Sequence, residues 1–160
     1  MYKFIKRFFD IIFSLILIIL LLPIFIPVIF ILRFSGENEV FYKQIRIGYG
    51  NKLFGILKFA TMVKNSTKIG SGIYTAENDP RILPVGKFLR KSKINELPQI
   101  FNILYGNMSF VGPRPLISDT FSLYSKEGQQ IIGKLKPGLT GIGSIYFRDE
   151  DTLFAKSDLS

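Results

Sequence analysis

The sequence predicts a mainly α fold with a small β-hairpin, an α+β class. In it a re-entrant membrane helix carries a compact domain with amphipathic helices at the membrane interface. Three observations lead there. Residues 11–32 carry no charged side chain, and as one helix they would reach about 33 Å, enough for a bilayer core. Residues 39–47 and 53–59 are rich in β-branched and aromatic side chains and flank Gly48-Tyr49-Gly50-Asn51, the pattern of a hairpin. From Leu83 onward apolar residues recur at helical spacing. The division is then residues 1–36 as the membrane element and 37–160 as the globular domain.

The N-terminal segment is the first element. Lys3, Lys6 and Arg7 alternate with Phe4, Phe8 and Phe9 ahead of the apolar run, a composition that suits a headgroup interface. The run is too long for the apolar part of a signal peptide, and no small-x-small cleavage site follows. Pro23 and Pro27 sit inside it, and each removes a backbone donor and crowds the preceding turn. A kink near Pro23 lets the segment enter and leave by one leaflet, and the positive flanks (Lys3, Lys6 and Arg7, then Arg33) agree with that; a kinked span is the alternative. Asp10 is expected to partner a nearby Lys or Arg.

Charge and composition narrow the chemistry. The chain is 48 % apolar and 21 % charged with a net charge of +9, and residues 33–160 alone are still +7 once Lys3, Lys6, Arg7 and Asp10 are set aside. Such a balance beside an apolar segment points to anionic partners: lipid headgroups, phosphorylated substrates or nucleic acid. No aromatic-basic repeat or helix-turn-helix pattern supports a nucleic acid polymer. With no cysteine and no histidine, disulfides, thiolate chemistry, Cys-based zinc sites and Ser-His triads are excluded. Any catalysis must use carboxylates, Lys, Arg, Tyr, hydroxyls or a bound metal.

After the hairpin, Lys58 ends the second strand, either as a solvated edge lysine or as a phosphate ligand. Residues 64–80 are polar and rich in Gly, Ser and Thr, a surface loop in which Glu77 and Asp79 are expected to be solvated. Val85, Phe88 and Leu89 make an apolar face and Lys87, Arg90 and Lys91 a basic one, suited to solvent, lipid phosphate or substrate. Ile94, Leu97, Phe101 and Leu104 then mark a helix beginning at about Asn95 to Leu97. Asn95 would cap it, Glu96 would lie in its first turn, and Gly106-Asn107 would end it. Glu96 could equally hold a metal. In Val111-Gly112-Pro113-Arg114-Pro115 two prolines fix the backbone around Arg114, presenting a planar fork to a phosphate or to a surface carboxylate. One amphipathic helix is expected over 118–134, a turn over 136–141, a strand over 142–147, and an acidic cap at Asp149-Glu150-Asp151.

The stretch KFLRKSKINELPQIFNILYGNMSFVGPRP resembles the signature of the bacterial sugar transferases, the monotopic phosphoglycosyl transferases. The likeness extends from the N-terminal KRFFD through Lys58-Phe59-Ala60-Thr61-Met62 to Pro137-Gly138-Leu139-Thr140-Gly141. It implies a re-entrant helix in the bacterial inner membrane with the domain on the cytoplasmic face. It implies transfer of a phosphosugar from a nucleotide diphosphate sugar, usually a UDP-sugar, to polyprenyl (undecaprenyl) phosphate with Mg²⁺, which starts exopolysaccharide, lipopolysaccharide or other surface glycan assembly. Membrane lipids and a homo-oligomer are further implied partners. Carried over by motif, Glu96 is the acidic residue of the catalytic dyad and metal ligand, and Lys58, Arg90 and Arg114 are the phosphate-binding cations. The family's nucleophilic Asp is here Asn95, and an amide is a poor nucleophile and a neutral ligand. Leu22, Ala60 and Asn107 also depart from the pattern, and the chain is expected to be truncated at its C-terminus relative to the family. The alternative reading is a catalytically impaired homologue serving as scaffold or regulator in glycan assembly.

Overall fold

The computed structural model describes residues 2–35, 37–69 and 79–141. Along them run α1 (Tyr2–Phe34), β1 (Phe41–Ile47), β2 (Leu53–Phe59), α2 (Pro84–Lys91), α3 (Gln99–Tyr105), β3 (Ser109–Val111), α4 (Ser118–Ser122), α5 (Lys126–Gly133) and β4 (Gly138–Thr140). The described fold is therefore mixed α and β, with five helices and the expected antiparallel hairpin β1–β2. Glu77, the strand expected over 142–147 and the acidic cap at 149–151 lie outside the described residues.

The helix α1 is continuous through both prolines, rather than broken at Pro23. Prolines four residues apart leave the carbonyls of Ile19 and Pro23 without amide donors, and the helix continues past both. It is long and apolar enough to cross a membrane, with a mean hydropathy of 3.4 over its most apolar window, and most of that window is exposed. Its two ends are not free. Near the start, the Arg7 guanidinium donates to the carbonyls of Ile103 and Leu104, both at 2.6 Å, and Lys6 Nζ donates to the Val111 carbonyl at 2.7 Å. Near the finish, Phe25, Val28 and Leu32 are buried with Phe59 and Leu89, and the Phe25 ring lies edge-on to Phe59 at 5.6 Å and 6.0 Å from Phe101. Both arms of α1 thus close on α3.

Asp10 does not pair with a basic residue as expected. It is buried, and its Oδ1 accepts from Ser109 Oγ at 3.0 Å and from the Phe110 N–H at 3.3 Å, pinning α1 to β3. Buried carboxylates need donors, and backbone and hydroxyl donors serve as well as a cation. Ser14 Oγ in turn donates to the Asp10 carbonyl at 2.6 Å.

A second core, Ile56, Ile103 and Met108 with Phe54, Phe110 and Leu139, joins the hairpin to α3 and to β3–β4. In α3 the buried apolar residues are Ile100 and Ile103, while of the expected core-facing set Ile94, Leu97 and Phe101 pack half-buried against the first core. In α2 Leu89 is buried but Phe88 is 63 % exposed, contrary to the face read from the sequence. The segment 118–134 is two short helices rather than one, because Ser125 restarts the chain as an N-cap, its Oγ accepting from the Gly128 N–H. The expected turn at 136–141 contains β4, parallel to β3. A Cβ on Gly112 would lie 2.3 Å from the Lys136 carbonyl oxygen, and one on Gly138 would lie 2.1 Å from the Gly112 nitrogen, so only glycine permits this approach.

Three polar side chains, Asp79, Arg81 and Asn102, tie separate segments together. Asp79 is buried rather than solvated: it takes a bidentate contact from Arg81, through Nε at 2.8 Å and Nη2 at 2.5 Å. Arg81 Nη1 also donates to the carbonyls of Ser66 and Ile69. Asn102 pairs with the open edge of β2: its Oδ1 accepts from the Leu57 N–H and its Nδ2 donates to the Gly55 carbonyl, both at 2.8 Å. Replacing Asn102 with alanine strands two part-buried backbone groups. We expect Asn102→Ala to lower unfolding free energy by about 2–3 kcal/mol in denaturant titration of the solubilised protein. A loss below about 0.5 kcal/mol would show that solvent replaces the amide.

Candidate active site

The hairpin brings the first functional side chains together. In its register Tyr42 faces Lys58 and Arg46 faces Phe54, so Tyr42, Arg46 and Lys58 share one face of the sheet. The Asn102 contact at Leu57 then ties the neighbouring Lys58 to α3. Just ahead of α3 the chain makes a 3-10 turn, Ile94–Glu96, entered through Lys93 in the left-handed region at φ 59°. The Lys58 ammonium reaches Glu96 Oε1 at 2.9 Å. These two expected site residues, 38 positions apart in the chain, are therefore in direct contact.

Asn95 does not cap a helix. Pro98 occupies the N-cap of α3 with no side-chain bond, and the preceding residues close i to i+3 bonds, Glu96 N–H to Lys93 and Leu97 N–H to Ile94. The tighter turn forms because Pro98 has no N–H with which to continue an α-helix from Ile94. Asn95 is consequently turned inward: it is 8 % exposed, and its Oδ1 has no hydrogen-bond partner among the described residues.

Arg114 is held from both sides. The Pro113 carbonyl accepts from the Gly138 N–H at 2.9 Å and the Leu116 carbonyl accepts from the Ile47 N–H at 2.8 Å. The Gly-Pro-Arg-Pro segment thereby bridges β4 to the end of β1 and comes close to Arg46, the residue before Ile47. Arg90 is placed against Thr61, three residues beyond Lys58, with Nη1 3.5 Å from Thr61 Oγ1.

The electrostatics follow from this crowding. Burial pushes the Glu96 carboxyl up, but the Lys58 ammonium, by charge and by hydrogen bond, outweighs it with help from Lys93 and Arg114. The net position is below the ordinary carboxylate value. Burial lowers Arg46, Arg114 lowers it further, and Glu96 and Tyr42 act the other way. Its Nη2 donates to Gln44 Oε1 at 2.9 Å, while its buried Nε has no hydrogen-bond partner among the described residues. Arg46 and Lys93 were missed in the sequence, where one reads as a strand cation and the other as part of a basic run. Alternation along β1 marks the side of the sheet Arg46 occupies, but only the pairing register puts Lys58 on that side.

Mg²⁺ is the cofactor the resemblance implies. The residues present fit it: an ionised Glu96 and the unpartnered amide oxygen of Asn95 are hard oxygen donors on adjacent residues, and Mg²⁺ usually takes one or two protein oxygens beside water and substrate phosphate. Among the described residues no cluster of three or more acidic side chains competes for a metal.

The comparisons with known proteins point the same way. The family model described as bacterial sugar transferase matches residues 1–159. The chain is 35 % identical to the exopolysaccharide production protein ExoY of Sinorhizobium fredii, over 91 % of this chain and 70 % of that one. It is 35 % identical to the undecaprenyl-phosphate galactose phosphotransferase of Salmonella typhimurium, over 92 % of this chain and 34 % of that one. It is 38 % identical to the UDP-glucose:undecaprenyl-phosphate glucose-1-phosphate transferase of Klebsiella pneumoniae, over 88 % of this chain and 30 % of that one. The enzyme class anticipated from the sequence is the one these names carry, and the chain belongs to the bacterial sugar transferase family.

Proposed function

We propose that this protein transfers a sugar phosphate from a UDP-sugar to polyprenyl phosphate, at the cytoplasmic face of the bacterial inner membrane, as the first step of surface glycan assembly. The observation that carries the reading is the Lys58–Glu96 contact in a cluster of cations, built on a domain whose core includes an exposed apolar helix. Relatives named for undecaprenyl phosphate and UDP-glucose support it. So does the way both arms of α1 close on α3, which suits a helix that dips into one leaflet and returns.

The chemistry is a displacement at phosphorus. An oxygen of the polyprenyl phosphate forms a bond to the sugar-linked phosphorus. The bond to the bridging oxygen breaks, and UMP leaves with that electron pair. The acceptor is already an anion, so no proton need be removed. Lys58, Arg46 and Arg114 neutralise the phosphates and hold them in line. Arg90 would meet the same charge from the Thr61 side. Mg²⁺, held by Glu96 and Asn95, would supply charge neutralisation on the diphosphate when bound. A direct displacement needs no covalent carrier, which accords with an amide at Asn95.

Asn95 also motivates a second reading: a homologue that keeps the phosphate site and the membrane seat but does not turn over, and serves glycan assembly as a scaffold. Its support is the buried, neutral amide beside Glu96, whose Oδ1 has no hydrogen-bond partner among the described residues.

The deciding experiment is incubation of the protein in nanodiscs with undecaprenyl phosphate and a panel of radiolabelled UDP-sugars. Under the proposal a lipid-linked product and UMP appear together and no label stays on the protein. Label trapped on Glu96 would replace direct displacement by a covalent route. Activity absent from the parent and present in Asn95→Asp would establish the scaffold reading, and no product from either would remove the transferase reading.

Two further outcomes follow from the site. Because Glu96 sits below the ordinary carboxylate value, its ionised form persists as pH falls and is lost only beneath the usual glutamate range, about 4.3. Lys58→Met leaves burial less opposed, so the acid limb of the rate profile should move upward. An unmoved limb would mean that Glu96 does not govern it. Arg46→Gln removes a charged donor from the cluster, and kcat/KM for the UDP-sugar should fall about 10–100-fold, with little change in the melting temperature.

A further inference from the structure

A second basic site lies at the other end of α3. A cavity of about 300 Å³ opens there, lined by Gly48, Tyr49, Lys52, Gly106, Asn107 and Lys136 among others. This is the lower end of the range for small-ligand pockets, about 300–1,000 Å³. Neither Lys52 nor Lys136 has an ion-pair partner among the described residues. Gly106, at φ 91°, has the Arg7 guanidinium against it: a Cβ there would lie 3.3 Å from the guanidinium carbon. Lys6 reaches the Val111 carbonyl alongside. Two cations, Lys52 and Lys136, therefore line the cavity, with Arg7 and Lys6 in electrostatic reach of Lys136, and Asp10, engaged by Ser109 and Phe110, is the carboxylate that acts on Lys136. Lys136 registers the imbalance: burial lowers it first, then Arg7 and Lys6, against Asp10.

We propose that this cavity binds the phosphate headgroup of an anionic phospholipid. The class follows from position and charge. Arg7 and Lys6 stand four or five residues before the uncharged run of α1, at the depth where headgroups lie if α1 resides in a bilayer, on which the inference rests. Glu96 and Lys58 lie beyond the opposite end of α3, about 10 Å of helix away, so the cavity is separate from the site of phosphoryl transfer. Tyr49 and Asn107 on its wall add a hydroxyl and an amide able to donate to a phosphate or glycerol oxygen.

The test uses the full chain reconstituted into membranes of equal phosphatidylglycerol and phosphatidylcholine, then extracted in mild detergent, with retained lipid counted by native mass spectrometry. Wild type should retain phosphatidylglycerol over phosphatidylcholine. Lys52→Ala with Lys136→Ala should reduce that preference by about fivefold for each lysine removed. Lys52→Arg with Lys136→Arg should restore it, which a folding defect would not allow. Equal retention of both lipids by wild type, or an unchanged preference in the double alanine variant, overturns the proposal. So does displacement of the bound lipid by millimolar inorganic phosphate or UMP, which would assign the cavity to a soluble phosphate. Failure of wild type to float with vesicles would instead remove the membrane placement of α1, and the proposal with it.

Discussion

The geometry of the site depends on one side chain that takes no part in its chemistry. Asn102 acts as a strand toward the open edge of β2, offering an acceptor to Leu57 and a donor to Gly55 at the spacing a backbone would use. At the same time its own carbonyl accepts from the N–H groups of Gly106, Asn107 and Met108, closing the C-terminus of α3. One residue therefore sets both the distance between α3 and the sheet and the point at which α3 stops. Lys58 follows Leu57 and Glu96 precedes α3 by three residues, so their 2.9 Å contact inherits its precision from this amide. The apolar contacts of Ile56, Ile103 and Met108 supply the adhesion, but they have no direction of their own and leave sliding to be prevented by hydrogen bonds.

Around the Lys58–Glu96 pair the balance is deliberately uneven. One carboxylate stands among Lys58, Lys93, Arg46 and Arg114, a cluster whose like charges cost free energy. Under the proposed function the phosphate groups of the substrates offset that cost on arrival. The cluster persists because its backbone is fixed elsewhere: the Gly112–Gly138 approach and the two hydrogen bonds flanking Arg114 leave the segment nowhere to retreat. Asn95 fits this frame as a neutral residue in a place where a second carboxylate would reduce the positive excess.

Local elements were legible in the sequence, and long-range polar contacts were not. The hairpin was readable because its strands alternate and its turn is glycine-rich, and α1 because its composition is extreme. Lys58, Glu96 and Arg114 could be nominated from motif, yet nothing in a periodic pattern says that Lys58 meets Glu96. Asp10 reads locally as half of an ion pair, and no local pattern singles out Asn102, because each finds its partner 45 to 100 residues away. The parallel pair β3–β4 is three residues to a strand, too short for alternation to register. Asn95 was misread as a cap because the cap pattern was sound locally, while Pro98 forced a 3-10 turn that buries it.

The Arg7 contact with α3 has a bearing on how the chain is made. Its acceptor at Ile103 is synthesised 96 residues later, at ordinary translation rates a delay of about 5–20 s. Through that interval the Arg7 guanidinium and the Asp10 carboxylate lack the acceptors and donors that hold them in the fold. The docking of α1 therefore waits for α3, and the β3–β4 pair, whose second strand ends at Thr140, closes later still. A chain stopped before β3 would hold Asp10 without Ser109 and Phe110, the two donors that satisfy its carboxylate in the folded protein.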